Sequence, residues 1–246
     1  MSPLLLIAGL ITGTMIGTFG VGGVLLAPFL FYGLGIELHL ATAMSSWSFL
    51  FTGIVGTFVY WRMGNISWDV VGWLTVGIVP GAVLGARANV AVSSTTLVLL
   101  LAALVLASGL NILFSRSGAE RQVSNVGRRL LVLLGFFTGL GSALTGTGGP
   151  VLLVPVLMFI NVPALAAIAA SQVVQVPIAA AATIGFGLFG EVDLVLGSML
   201  GVVQSVGVVI GARIAHAVAP NQLRRIVAIA LVAVAIIMIS RILIST

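Results

Sequence analysis

Residues 17–35, GTFGVGGVLLAPFLFYGLG, interrupt an apolar stretch with four glycines in seven positions, Gly17, Gly20, Gly22 and Gly23. Residues 144–155, LTGTGGPVLLVP, do the same with Gly146, Gly148 and Gly149. The two interruptions stand 126 residues apart, and the offset holds well beyond them. Gly9 meets Gly135, Thr12 meets Thr138, and Gly13 meets Gly139. Ala41, Ala43 and Ser45 meet Ala167, Ala169 and Ser171, and Gly64 meets Gly190. Gly81, Gly85, Ala86 and Arg87 meet Gly207, Gly211, Ala212 and Arg213. Chance gives isolated glycine matches in such a composition, but not a constant offset that ends on a matched arginine. The chain is an internal duplication, with the weak symmetry characteristic of membrane carriers.

Composition fixes the solvent. Of 246 residues 60% are hydrophobic and 6% charged, where a soluble domain spends about a quarter on charge. The chain is expected to be an all-α polytopic membrane protein. All ten cations are arginines placed at the ends of apolar runs, a pattern of membrane orientation and not of nucleic-acid binding. The absence of cysteine removes disulfide frameworks, thiolate metal sites and thiol catalysis. No mid-membrane aspartate pair, histidine cluster or nucleophile elbow is present, so neither an enzyme nor a cofactor is expected. The N-terminal segment lacks a positive leader region and reads as a retained membrane segment.

A span needs about 20 apolar residues. Residues 39–60, 66–87 and 94–114 qualify in the first half, and 163–187, 192–214 and 222–243 in the second. The polar stretch 115–129 divides the chain into repeats 1–114 and 130–246. The opening segments, 3–35 and 130–160, are too long for one span and are cut near the middle. Each is either one kinked helix or two short helices meeting within the membrane. Arginine placement favours the second. With Arg116, Arg121, Arg128 and Arg129 cytoplasmic, an in-and-out hairpin at 130–160 brings Arg213, Arg224 and Arg225 to the same side. Both termini then lie outside, Arg87 is the misfit, and the halves are inverted repeats.

A break inside the bilayer must be buried in protein or line a cavity. Its free N–H groups sit at the positive end of a helix and suit an anion. Gly20, Gly22, Gly23, Gly146, Thr147, Gly148 and Gly149 are therefore candidate ligands; close helix packing is the competing reading. On the next helices lie Ser45 and Ser46 in one half, Ser171, Gln172 and Gln175 in the other. Hydroxyls and amides can donate to an oxyanion without burying a charge, or bond back to helix carbonyls. Glu37, Asp69, Glu191, Asp193, His39 and His216 fall near span ends, so no carboxylate relay crosses the membrane. Arg87 and Arg213 either snorkel or draw anions to opposite mouths.

The stretch at 17–35, followed by ATAMSS at 41–46, and its second copy LTGTGGPVLLVPVLMFINVPALAAIAAS at 144–171 resemble the TauE/SafE family of sulfite and sulfonate exporters. The resemblance covers both halves. It implies a carrier of small organosulfur anions in the bacterial inner membrane. The glycine segments and Ser45, Ser46 and Ser171 fall on the family's motifs, although Met44 stands where Gly-Thr-Ser-like sequences are commoner. The expected partners are a small anion and the lipid bilayer, with no nucleic acid. A channel, or a sensor or assembly subunit, are the alternatives.

The orientation is directly testable in a cysteine-free chain. Glu120→Cys is expected to react with an impermeant maleimide only after the cells are opened. Labelling from outside intact cells would reverse the topology.

Overall fold

The computed structural model describes residues 3–20, 22–89, 127–160, 162–189 and 192–245, with scattered positions between 96 and 114. Most of the expected span 94–114 and of the linker 115–129 lie outside these residues. Among the described residues the protein is entirely helical. The helices are α1 (Pro3–Phe19), α2 (Gly23–Pro28, running on into a π turn Phe29–Gly33), α3 (Leu38–Arg62) and α4 (Trp68–Asn89) in the first half. The second half contains α5 (Arg128–Thr145), α6 (Pro150–Phe159), α7 (Ala164–Phe189), α8 (Leu194–Ala217) and α9 (Pro220–Ser245). The expected spans agree within about three residues at each end. The start of α5 at Arg128 takes two residues from the expected linker. Five helices, α3, α4, α5, α7 and α8, are long and apolar enough to cross a membrane. That α5 is one of them was not expected of half a broken segment.

Each opening segment is a hairpin. A methyl group built on Gly22 would collide with the Thr12 carbonyl and Met15 of α1, so the start of α2 lies back along α1. Similarly, Gly141 of α5 faces Leu152 of α6. The buried cluster that joins Leu5 and Ile16 to Leu26 and Leu30 holds the first hairpin closed.

The hairpins exchange partners between the halves. α5 packs on α4 through Gly77, Gly81 and Gly85, one turn apart. Those positions rest on the carbonyls of Val132, Phe136 and Leu140, while Gly135 and Gly139 rest on the carbonyls of Leu74 and Ile78. α1 packs on α8 in the same way, with Gly13 and Gly17 against Gln204 and Val208, and Gly207 and Gly211 against Leu10 and Thr14. In both pairs the residue numbers climb together, so the partners run side by side in the same sense. Small residues at one-turn spacing let two helix backbones touch, and dispersion and carbonyl contacts supply the attraction that water-driven burial cannot supply in lipid. α3 crosses α7 between the two seams, α3 also packs on α8, and α4 on α7. The contact pattern maps onto itself when the halves are exchanged.

Side-chain bonds tie the ends. His39 and Asn89 meet at 3.0 Å, joining the start of α3 to the end of α4. Asn65 and His216 meet at 2.7 Å at the other end, joining the α3–α4 turn to the last turn of α8. Arg128, opening α5, stacks over Trp73 in the first turns of α4 at 5.3 Å.

The seam makes a sharp prediction. Gly81→Ala places its methyl against the Phe136 backbone, which cannot give way. Its cost should reach or exceed the upper end of the ~1–3 kcal/mol typical of overpacking. Gly72→Ala, on the same helix with open space around it, should leave the detergent melting temperature unchanged or slightly raised. Equal melting temperatures for the two variants would remove the backbone contact from the fold's support.

Candidate functional site at the helix breaks

α5 ends on Gly146 in the left-handed region, φ 65°, and Gly148 and Gly149 follow at φ 78° and 91°. Three such residues in four positions need glycine, because a Cβ clashes with the backbone there. The turn folds the N–H groups of Gly146 and Thr147 back onto the Ser142 carbonyl. Gly149 then caps α6, its carbonyl accepting from Leu152 and Leu153 at 3.1 Å, and Pro150 at the first helical position lacks the N–H that would have no partner. Among the described residues the N–H groups of Gly148, Gly149 and Val151 make no hydrogen bond. The first break is simpler: Gly20, at φ 71°, returns its N–H to Ile16, and Gly22 opens α2 without a side-chain cap.

The two breaks touch. Gly20 lies against Val154 and Pro150 of α6, and Gly23 lies against the Thr147 carbonyl and the Phe49 ring. All seven expected break residues, Gly20, Gly22, Gly23, Gly146, Thr147, Gly148 and Gly149, are buried and gathered in one region. The space a side chain would need is already filled. Gly146 abuts Thr42, Gly148 abuts Phe49 with a methyl position 2.5 Å from the ring, and Gly149 abuts Ile178. An added methyl at these glycines therefore meets protein on its Cβ side, and close packing is one function these positions certainly have.

Helix ends inside an apolar slab also leave carbonyls to satisfy, and the neighbours supply donors. Gln172 donates from Nε2 to the Ile16 carbonyl at 3.0 Å. The Tyr60 hydroxyl donates to the Gly17 carbonyl at 2.6 Å. Asn89 donates from Nδ2 to the Leu144 carbonyl at the second break. Gln175 donates to the Thr52 hydroxyl at 2.7 Å, and that hydroxyl in turn donates to the Phe49 carbonyl. Ser45 and Ser171 bond back to Ala41 and Ile168, each at 2.7 Å. Ser46 is buried beside them. The amide nitrogens of Gln172 and Gln175 are thus already engaged with protein, and the atoms left without a hydrogen bond are their carbonyl oxygens. Acceptors of this kind face away from the donor role expected of them.

Four participants were not anticipated. Gln204, fully buried on α8, donates to Thr12 at 3.1 Å and leaves its own carbonyl oxygen unpaired. A mid-span amide at 204 was a visible signal. Tyr60 and Asn89 carried none, since residues near span ends read as interfacial. Ser142, one residue type among many small ones, keeps a buried hydroxyl without a partner 3.9 Å from the methyl position of Gly149.

A bundle of apolar spans built around two paired intramembrane breaks defines a polytopic membrane protein of transporter architecture. The chain belongs to the sulfite exporter TauE/SafE family, whose model matches residues 5–238. It is also 28% identical over 180 residues to a probable membrane transporter protein of Methanocaldococcus jannaschii. That match covers 69% of this chain and 66% of the relative. No solved structure matches the chain.

The hydrogen-bond pattern predicts unequal costs. Gln172→Leu strips the Ile16 carbonyl of its side-chain donor, leaving only the Gly20 N–H, and should destabilise the protein by about 1–3 kcal/mol. Ser45→Ala, which removes only a back-bonded hydroxyl, should cost well under that. Detergent melting curves of the two variants check it, and a silent Gln172→Leu would show that Ile16 needs no side-chain partner.

Proposed function

We propose that this chain is a secondary transporter for a small oxyanion, an organosulfur species such as sulfite or a sulfonate, in the bacterial inner membrane. The substrate would sit where the breaks meet. The observation that carries this reading is the meeting of Gly20 and Gly23 with Pro150, Val154 and Thr147 between the two seams. Inverted-repeat carriers place discontinuous helices at such a position, with half-helix N-termini toward anionic groups. The unpaired N–H groups of Gly148, Gly149 and Val151 and the Ser142 hydroxyl are the donors best suited to the anion; the Thr147 hydroxyl, paired with Thr145 at 3.0 Å, would turn from that partner to join them. Gln172 and Gln175 serve as supports for α1 and α3 in this reading, with Ser45, Ser46 and Ser171 lining the same layer. The halves would move as inverted repeats, giving alternating access, with residues 115–129 cytoplasmic. Family membership and the transporter relative agree with the class of activity; the anion and the mechanism are this proposal's own.

The test is flux in liposomes containing only the purified protein. Sulfite uptake should saturate, and sulfite trapped inside should accelerate entry of labelled sulfite by counter-flow. Uptake that rises linearly without counter-flow would make the protein a channel. Absence of flux for sulfite and simple sulfonates alike would remove the proposed substrate class.

A further inference from the structure

The two ends of the protein each hold a histidine–asparagine pair, and the pairs are wired oppositely. At the end bearing the α3–α4 turn, the Ala212 carbonyl lies 2.9 Å from His216 Nδ1. A carbonyl can only accept, so Nδ1 carries a proton. The Met63 carbonyl lies 3.0 Å from the Asn65 side-chain nitrogen, which fixes that atom as the donor by the same logic. The same nitrogen stands 2.7 Å from His216 Nε2. Nε2 must therefore offer a lone pair, and the imidazole held here is the neutral Nδ1–H form. A second proton on Nε2 would set two donors face to face. Turning the Asn65 amide over would then oppose its oxygen to the Met63 carbonyl. Either way at least one bond is lost.

The other pair has no such sensitivity. Asn89 Nδ2 donates to the Leu144 carbonyl, so Oδ1 faces His39 and accepts from Nδ1–H at 3.0 Å. His39 is exposed, and a second proton enters at its far nitrogen without disturbing the contact. The Asn65–His216 contact bridges the halves directly, whereas His39 and Asn89 both belong to the first half and reach the second through the Asn89 bond to Leu144. Only at the first does protonation force a bond of the asparagine to be given up, either to His216 or to Met63.

We propose that His216 is a proton-binding site whose protonation loosens the α3–α4 turn, by costing Asn65 its bond either to α8 or to the turn's own Met63 carbonyl. The groups in contact with its ring are Asn65, Ala212 and Tyr60, whose ring centroid is 5.4 Å away. Tyr60 also holds the Gly17 carbonyl, so the histidine shares a wall with the first break. Among the described side chains the charged groups on the surrounding elements are exposed: Arg62 ends α3 over Phe58, Asp69 opens α4, Arg128 opens α5, Arg213 precedes His216 by one turn, and Arg225 lies near the start of α9. From α1, the neutral Gly17 meets Tyr60 and the neutral Thr18 meets Gly211 of α8. The ligand of the site is a proton. Its role in access rests on the transporter reading; the latch itself does not.

The test therefore needs no transport. The chain has two histidines, so His39→Gln in histidine-labelled full-length protein leaves one imidazole to follow by nitrogen NMR. At alkaline pH it should show the Nδ1–H tautomer; an Nε2–H tautomer overturns the proposal. The second measurement is maleimide labelling of Ser67→Cys in the turn, expressed at each pH relative to the same reporter in His216→Gln. That glutamine can accept from Asn65 and does not titrate. The ratio should rise severalfold as the pH is lowered. In Asn65→Asp the protonated ring becomes the held form, so the trend should reverse. A ratio independent of pH, or an unreversed trend in Asn65→Asp, overturns the latch even if sulfite flux is found.

Discussion

A helix that stops inside a membrane exposes carbonyls and N–H groups to a medium with nothing to offer them, at a cost of several kcal/mol for each group left bare. This chain stops twice. At the first stop, Gly20 N–H and Gln172 share the Ile16 carbonyl, and Tyr60 takes the Gly17 carbonyl. At the second, the backbone turns on itself at Ser142, and Asn89 takes the Leu144 carbonyl. The donors come from α3, α4 and α7, so those helices cannot be placed independently of the breaks. Much of the interior polarity exists to make the stops tolerable.

The same requirement explains the glycine seams. Donors on short side chains reach a broken end only if the helices carrying them lie close, and closeness in lipid is bought with small residues. Gly77, Gly81 and Gly85 bring α4 onto α5, and Asn89, one turn further on, then reaches Leu144. Gly13, Gly17, Gly207 and Gly211 bring α1 onto α8 in like manner, with Gln204 reaching Thr12 along that seam. The halves nevertheless differ at the centre. Gln172, Gln175 and Gln204 of the second repeat correspond by the 126-residue offset to Ser46, Phe49 and Ile78 of the first. Gln172 and Gln204 reach α1 on the approach to the first break, whereas Phe49, Ile178 and Thr42 fill the space beside the glycines of the second, so the two are not chemically interchangeable.

The architecture was legible because it leaves long-range marks: apolar length, the constant offset, and glycine clusters that interrupt both opening segments at the same phase. Arginine placement favoured a hairpin over a kink, and α2 lies back along α1. Side-chain roles were less legible. A serine that bonds back to its own helix, as Ser45 and Ser171 do, has the same spelling as one that faces a ligand. The glutamines were visible as unusual, but which end of each amide is engaged depends on the partner across the interface, and Ile16 and Thr52 lie more than a hundred residues away. Tyr60 and Asn89 were hidden for a different reason. They sit at helix ends where polar residues are ordinary, and only the tertiary fold reveals that a broken helix ends nearby.

The exchange of partners between halves also has a bearing on how the protein is made. α1 leaves the ribosome long before its principal partner α8, which begins only at Leu194. At about 5–20 residues per second, roughly ten to thirty-five seconds of translation separate the two. During that interval the seam of Gly9, Gly13 and Gly17 has no mate of its own. α4 and α5, by contrast, are neighbours in order of synthesis as well as in space. Biogenesis is therefore lopsided in time although the finished bundle is nearly symmetric in space: one seam can close early, while the other keeps α1 waiting, beside lipid or the insertion machinery, until most of the chain has been delivered.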